Sequence, residues 1–234
     1  MNIKSFISGF FQQLSSKRGF LLRLYLPIFG FLAALFSLAI FTKTINIYQL
    51  VGDITSEAHV PFYVGALSQI GMLFWAAGAT VCCLTLLFLS KQGALEPATR
   101  RFLLLASALN IVLMLDDMFL FHEEIAPDYL GIDEKIVMIS YLLLGLSFVF
   151  FNWQEILASE YAILGLALGL FAISIFFDAI PDPWYKSVYT LDKLEHMIED
   201  GAKFAGIVTW LAFFTRYAYA KFSQLVRPAG KIQG

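Results

Sequence analysis

Residues 113–124, with the sequence LMLDDMFLFHEE, place four carboxylates and one histidine inside an otherwise apolar stretch. Asp116 and Asp117 follow a largely apolar run from Phe102 to Leu115. An acid near the centre of a bilayer costs roughly 2.5–3.5 kcal/mol on insertion scales, so acids at such positions usually line a cavity or a pathway. The segment therefore indicates a chemically active site rather than a simple membrane anchor.

A second polar segment, LDKLEHMIEDGAKF, covers residues 191–204. On a helix, His196, Glu199 or Asp200, and Lys203 fall on one face. His196 with Glu199 or Asp200 forms a pair at i, i+3 or i, i+4 on one helix face, and the Glu-x-x-His ligands of helical bundles follow the same spacing logic. Lys203 follows Glu199 by one turn, which predicts that it neutralises Glu199 or Asp200.

Two histidines with several carboxylates form a donor set that suits Zn²⁺, or iron and manganese in a more oxygen-rich shell. A metal with an open position activates water, which predicts hydrolysis of a lipid-like amide or ester, with Glu123 or Glu199 as the proton shuttle. His122 lies about 140° from Asp117 on an ideal helix, so it joins this site only if the helix loosens at its end. The predicted metal ligands are Asp117, His122, Asp178, His196 and Asp200.

The combination of a mid-chain aspartate and a histidine on the last span resembles, in part, the alkaline-ceramidase type of intramembrane metal hydrolases. The resemblance implies metal-dependent hydrolysis. This chain has His196-x-x-x-Asp200 where that pattern has two histidines, and six predicted spans where that family has seven. The resemblance covers only these few residues, so no family is assigned from it.

The composition is that of an integral membrane protein. Of 234 residues, 59% are hydrophobic and 15% are charged, with a mean hydropathy of +0.73. The apolar runs are continuous rather than alternating, which predicts an all-α bundle of membrane-spanning helices. The net charge of −2 gives no indication of a nucleic-acid partner.

The order of apolar and polar segments predicts one membrane bundle with a short segment on each side. Residues 1–20 predict an amphipathic helix on the membrane surface, because apolar residues recur there at helical spacing. The transmembrane bundle is predicted at 21–222 and a cytoplasmic tail at 223–234. The six predicted spans are residues 24–42, 61–90, 102–122, 136–153, 161–180 and 199–219.

The distribution of Lys and Arg predicts the orientation. With the N-terminus inside, the inner segments hold eleven of these residues and the outer segments hold five. Because positive residues concentrate in cytoplasmic loops, this division predicts a multi-pass protein of the cell membrane with both termini in the cytoplasm. Fifteen of the eighteen acids fall on the outer side, together with the candidate site.

Two other functions remain open at this point. One is a non-catalytic membrane subunit or a lipid- or pigment-binding protein, whose buried ion pairs only fix the bundle. The other is a proton- or cation-coupled transporter that uses the acids as a relay, although the inner halves of the spans hold almost no ionisable residues. Bound metal separates the hydrolase from both alternatives. The expected partners are membrane lipid and a lipid-like substrate, and no nucleic acid.

Overall fold

The structure is a computed structural model, and it describes residues 12, 15, 18–42, 58–61, 63–178 and 189–226. These residues form helices joined by turns, and no strand occurs among them. The chain divides into two compact units, Met1–Val64 and Gly65–Gly234. The all-α prediction is confirmed for the part of the chain that is described.

Within the described residues of the first unit, helix α1 covers Arg18–Thr42. It contains the span predicted at 24–42, and it carries Pro27 in its interior. The amphipathic helix predicted at 1–20 falls almost entirely outside the described residues, so that prediction is not tested.

The second unit carries the candidate site on long helices. Each predicted span from 61 onwards overlaps one of these helices, with different ends. Three of them, α2, α3 and α4, are long and apolar enough to cross a membrane, and α6 is a shorter apolar helix. The count of six spans stays a prediction. The helices are α2 (Ala66–Lys91), α3 (Pro97–Phe119), a π-helix (Phe121–Tyr129), α4 (Glu134–Phe151), α5 (Trp153–Leu157), α6 (Tyr161–Asp178) and α7 (Tyr189–Val226).

The beginning and end of α3 follow from local chemistry. The helix begins with Pro97 at its first position, where the missing N–H needs no partner. It ends where Leu120 adopts the left-handed conformation, with φ of 50°. A bulky residue rarely occupies that region, so the regular helix cannot continue through it. The wider π-helix follows directly and contains Pro127.

Aromatic side chains fill the core of the second unit. Phe102 is fully buried, and its ring lies 4.8 Å from that of Tyr217 and 5.4 Å from that of Phe148, measured between centroids. Helix α7 packs mainly along α6 and α2, while α2 packs along α3. Gly206 allows the close approach of α7 to α6, because a Cβ atom there would lie 2.7 Å from the ring of Phe171.

Three polar contacts fix how α7 lies relative to α3. They join Asp117 to Lys203, Asn110 to Trp210, and Thr99 to Lys221. Seven residues separate the first and second contacts on both helices, and eleven separate the second and third. The two helices are therefore antiparallel and in constant register over about 27 Å, since each residue rises 1.5 Å.

Candidate functional site

Asp116 is the acceptor at the centre of the candidate site. Its carboxylate accepts hydrogen bonds from the Tyr141 hydroxyl at 2.8 Å and from the His122 backbone N–H at 3.1 Å. Its Oδ2 atom lies 2.6 Å from Nδ1 of His122. Both Asp116 and His122 are buried. A carboxylate held by three donors keeps its orientation, and it fixes the orientation of the imidazole in turn.

The end of α3 explains how His122 reaches Asp116. On a continued α-helix the His122 ring would point away from the acids. The left-handed Leu120 and the π-helical turn after it bring both the backbone N–H and the ring of His122 back onto Asp116. The helix thus loosens at its end, but among the described contacts His122 pairs with Asp116, whereas Asp117 pairs with Lys203 and Trp75.

The other ring nitrogen of His122 faces Glu123. The Nε2 atom lies 3.4 Å from Oε1 of Glu123, whose side chain is half exposed. The imidazole therefore connects a buried carboxylate on one side with an accessible carboxylate on the other. Such an arrangement suits a metal-ligating or proton-transferring histidine. The hydrogen bond at Nδ1 determines whether Nε2 offers a lone pair or carries a proton.

Asp117 lies about 100° around α3 from Asp116, and both of its carboxylate oxygens accept hydrogen bonds. Its Oδ1 accepts from the ammonium group of Lys203 at 2.8 Å, and its Oδ2 accepts from the indole N–H of Trp75 at 2.9 Å. The side chain of Asp117 is 8% exposed, so the lysine supplies the balancing charge that a buried carboxylate requires. The described partner of Lys203 thus lies on α3, 86 positions away, whereas the sequence suggested Glu199 or Asp200 on its own helix.

Asp116 and Asp117 together connect α3 to four other helices of the second unit. Asp116 binds the π-helix and α4, while Asp117 binds α2 and α7. Sequence reasoning missed Trp75 and Tyr141, because an aromatic residue in an apolar span gives no signal of its polar tip. The sequence marks Asp116 as an acid within an apolar run, but it does not predict Asp116 as a metal ligand.

Of the remaining predicted site residues, the structure describes the side chains of only some. The side chains of Asp178 and His196 lie outside the described residues. Asp178 is the last residue of α6, and His196 lies near the beginning of α7. Glu199 is half-buried and Asp200 is exposed, one turn of α7 before Lys203. Within the described ranges, no three His, Cys, Asp or Glu side chains stand together in a way that would hold a metal ion.

The register of α7 on α3 gives an expectation for the level of His196. His196 precedes Lys203 by seven residues, so it lies about 10 Å closer to the beginning of α7. A regular α3 would reach the equivalent level seven residues after Asp117, which is beyond its end at Phe119 and within the range of the π-helix. We therefore expect His196 near the level of the π-helix that carries His122 and Glu123.

A further carboxylate, Glu155, lies at the other end of the unit, with its side chain 11% exposed. It accepts hydrogen bonds from Thr99 at 2.7 Å, from Tyr217 at 2.8 Å and from Lys221 at 3.3 Å. Burial by itself raises the pKa of Glu155, but these hydrogen bonds and the charge of Lys221 outweigh that effect and hold the pKa below its usual range. No sequence pattern indicates this cluster, because its members lie 56 to 66 positions from Glu155.

The fold and the site define an all-helical protein with helices of membrane-spanning length around a buried Asp–His and Asp–Lys centre. The chain belongs to the family described as "Domain of unknown function (DUF8692)", whose model matches residues 25–217. No curated protein and no solved structure matches the chain.

Proposed function

We propose that this protein is a multi-pass membrane hydrolase that uses a metal ion held at the outer end of α3 to cleave a lipid-like amide or ester. The observation that carries the proposal is the pair of contacts at His122. Asp116 holds Nδ1 at 2.6 Å, and Glu123 lies 3.4 Å from Nε2. A histidine that binds zinc usually donates its other ring nitrogen to a carboxylate in this way.

The distance between His122 and Glu123 suits two ligands of one ion. Two donor atoms each about 2.1 Å from a tetrahedral Zn²⁺ lie about 3.4 Å apart. Glu123 is thus better suited to a ligand role than to the proton-shuttle role that its position alone suggested. His196 is the proposed third ligand, because the register of α7 on α3, extended past the end of α3, predicts it near this level. Asp178 and Asp200 remain candidates for a fourth position, whereas Asp117 is assigned to Lys203.

A divalent ion in such a site supplies Lewis acidity, which polarises a carbonyl group and activates water. Glu199 lies one turn of α7 beyond His196, towards Lys203, and is half-buried. We assign it the role of proton acceptor from the attacking water and proton donor to the leaving amine or alcohol. The net reaction adds one water across the amide or ester bond and yields a carboxylic acid with an amine or an alcohol.

The exposed surface of the helices supports a location within the membrane. In α4, only 11% of the most apolar stretch is buried inside the protein. Its outward-facing side chains include Ile136, Leu142 and Phe150, which are 57%, 51% and 76% exposed. An apolar surface of this extent on a monomer requires an apolar environment. The proposed localisation is the cell membrane with both termini in the cytoplasm.

The metal content of purified protein tests the site. Wild type should retain close to one equivalent of Zn²⁺ or another transition metal, and His122→Ala and His196→Ala should each lose it. His59→Ala is the matched control, because His59 is exposed and its loss should leave the metal content unchanged. Metal-free wild type, with a thermal stability that added Zn²⁺ does not raise, would refute the metal site.

Hydrolysis of a panel of N-acyl and ester lipids by the metal-loaded protein tests the reaction. Glu199→Gln should keep the metal and lose at least about 100-fold in kcat, the contribution usual for a general acid–base group. A Glu199→Gln variant with wild-type turnover would remove Glu199 from this role. Metal-loaded protein that cleaves no member of the panel would favour the non-catalytic subunit instead.

A further inference from the structure

A groove on the surface of the second unit lies near the beginning of α3, far from the proposed metal site. It encloses about 360 Å³, within the range of small-ligand sites. Arg100 and Arg101 stand at one end of its lining, and Leu104 and Leu105 stand one turn further along the helix. The remaining lining residues are Leu95 and Pro97.

The two arginines differ in what they already bind. The Arg101 guanidinium donates to the backbone carbonyl of Phe151 at 2.6 Å and lies 3.4 Å from Oδ1 of Asn152, so it is fixed in place. Arg100 is exposed, and within the described part of the chain no side chain holds its guanidinium. Glu96 is the acid nearest in sequence, one turn before Arg100, and it is also exposed. The groove therefore ends at a net positive charge.

The leucines give the groove an apolar floor directly beside this charge. Leu104 is 47% exposed and Leu105 is 41% exposed, although both belong to a helix long and apolar enough to span a membrane. A ligand that fits must therefore place an anionic group at the arginines and a hydrocarbon chain along the leucines. Such a ligand is amphipathic, with the two parts one helical turn apart.

We propose that this groove binds one anionic phospholipid of the inner leaflet, with its phosphate at Arg100 and Arg101 and an acyl chain along Leu104 and Leu105. The inference rests on the part of the proposed function that places the protein in a membrane. The predicted orientation puts α3 with its beginning at the cytoplasmic face, where anionic lipids concentrate and basic residues attract them. Arg101 holds the α4–α5 corner, so an occupied groove also supports that corner.

Native mass spectrometry of the full-length protein in detergent, with equal amounts of phosphatidylglycerol and phosphatidylcholine, tests the groove. Wild type should retain phosphatidylglycerol in preference, with one site filled first. Arg100→Gln should reduce that preference about fivefold, the contribution of one basic residue near an anionic surface. Arg100→Lys should retain most of it.

Lys91→Gln is the matched control, because Lys91 is an exposed cation at the same end of the unit and lies outside the groove lining. The preference of Lys91→Gln for phosphatidylglycerol over phosphatidylcholine should stay within twofold of the wild-type value. An equal loss in Lys91→Gln and Arg100→Gln would overturn the proposal in favour of general surface charge. Displacement of the lipid by an equal concentration of glycerol phosphate would overturn the acyl-chain contact.

The two proposals fail separately in these measurements. Arg100 and Asp117 are seventeen residues apart on α3, or roughly 25 Å along the axis. Arg100→Gln should therefore leave the metal content at the wild-type value. Wild type that lacks metal but still prefers phosphatidylglycerol would refute the hydrolase and leave the lipid groove standing. Metal-loaded wild type with no preference for phosphatidylglycerol would refute the groove and leave the metal site standing.

Discussion

Lys203 donates to Asp117 across 86 positions of sequence, with 2.8 Å between Nζ and Oδ1, and this ion pair ties α7 to α3 at the level of the candidate site. The carboxylate of Asp117 is buried, while the lysine side chain is 41% exposed. The positive charge of Lys203 therefore compensates the negative charge of Asp117, which would be costly to bury in α3 without a partner.

Lys203→Met should lower the free energy of unfolding, because Asp117 then keeps only the Trp75 hydrogen bond. We expect a loss of about 1–3 kcal/mol, the range for a buried polar group that loses its partner. The double variant Lys203→Met with Asp117→Asn should recover much of this loss. Denaturation in detergent measures both, with Lys135→Met as a control for removal of an exposed lysine. A double variant no more stable than Lys203→Met would show that the two residues are not coupled.

Gly78→Ala should destabilise the bundle, whereas Gly145→Ala should not. A Cβ at Gly78 would lie 3.1 Å from Cγ of Asn110, whose side chain is fully buried and bonded to Trp210 and to the Ala106 carbonyl. We expect a cost of about 1–3 kcal/mol from overpacking. Gly145 is also helical but has open space around it, so alanine there should be neutral or stabilising by about 0.4–1 kcal/mol. Equal thermal shifts in both variants would contradict the packing of Asn110 on α2.

Asp116→Asn should weaken metal binding at His122 about 10- to 100-fold, the usual effect of removing a carboxylate that orients a ligating histidine. Competition with a chromophoric chelator measures the dissociation constant. Ser140→Ala serves as the control, because the Ser140 hydroxyl bonds only to the Ile136 carbonyl in its own helix. Unchanged metal affinity in Asp116→Asn would mean that the His122–Asp116 contact is structural.

Glu155 should make stability depend on pH in the acid range. Its pKa in the folded protein lies below its ordinary value, so its contribution is present above that value and is lost as the pH falls through the folded pKa. Wild type should be more stable than Glu155→Gln at pH 7, and the gap should close below about pH 4.5. Melting temperatures across this range measure the gap, and the exposed Glu96→Gln provides the comparison. A gap that stays constant with pH would contradict a charged Glu155 in the folded state.

Cysteine labelling in intact cells tests the orientation. In a Cys82→Ser, Cys83→Ser background, Tyr129→Cys should react with a membrane-impermeant maleimide added from outside, because Tyr129 is 81% exposed beyond α3. Gln92→Cys, in the turn between α2 and α3, should react only after permeabilisation. The reverse pattern would place the candidate site on the cytoplasmic side and would remove the inner-leaflet argument for the lipid groove.

The sequence by itself determined that this is a helical chain and where its long helices lie, because apolar runs of membrane length separated by charged turns are a local property. It also identified Asp116, Asp117, His122 and Lys203 as out of place in an apolar setting. Only the tertiary structure decided which of these side chains meet. The left-handed turn at Leu120 sends His122 back to Asp116, and the antiparallel register of α7 on α3 gives Lys203 to Asp117. Partners such as Trp75, Tyr141 and the Thr99–Glu155 pair are invisible to spacing, since a helix period relates residues within one helix and says nothing about which helices pack together.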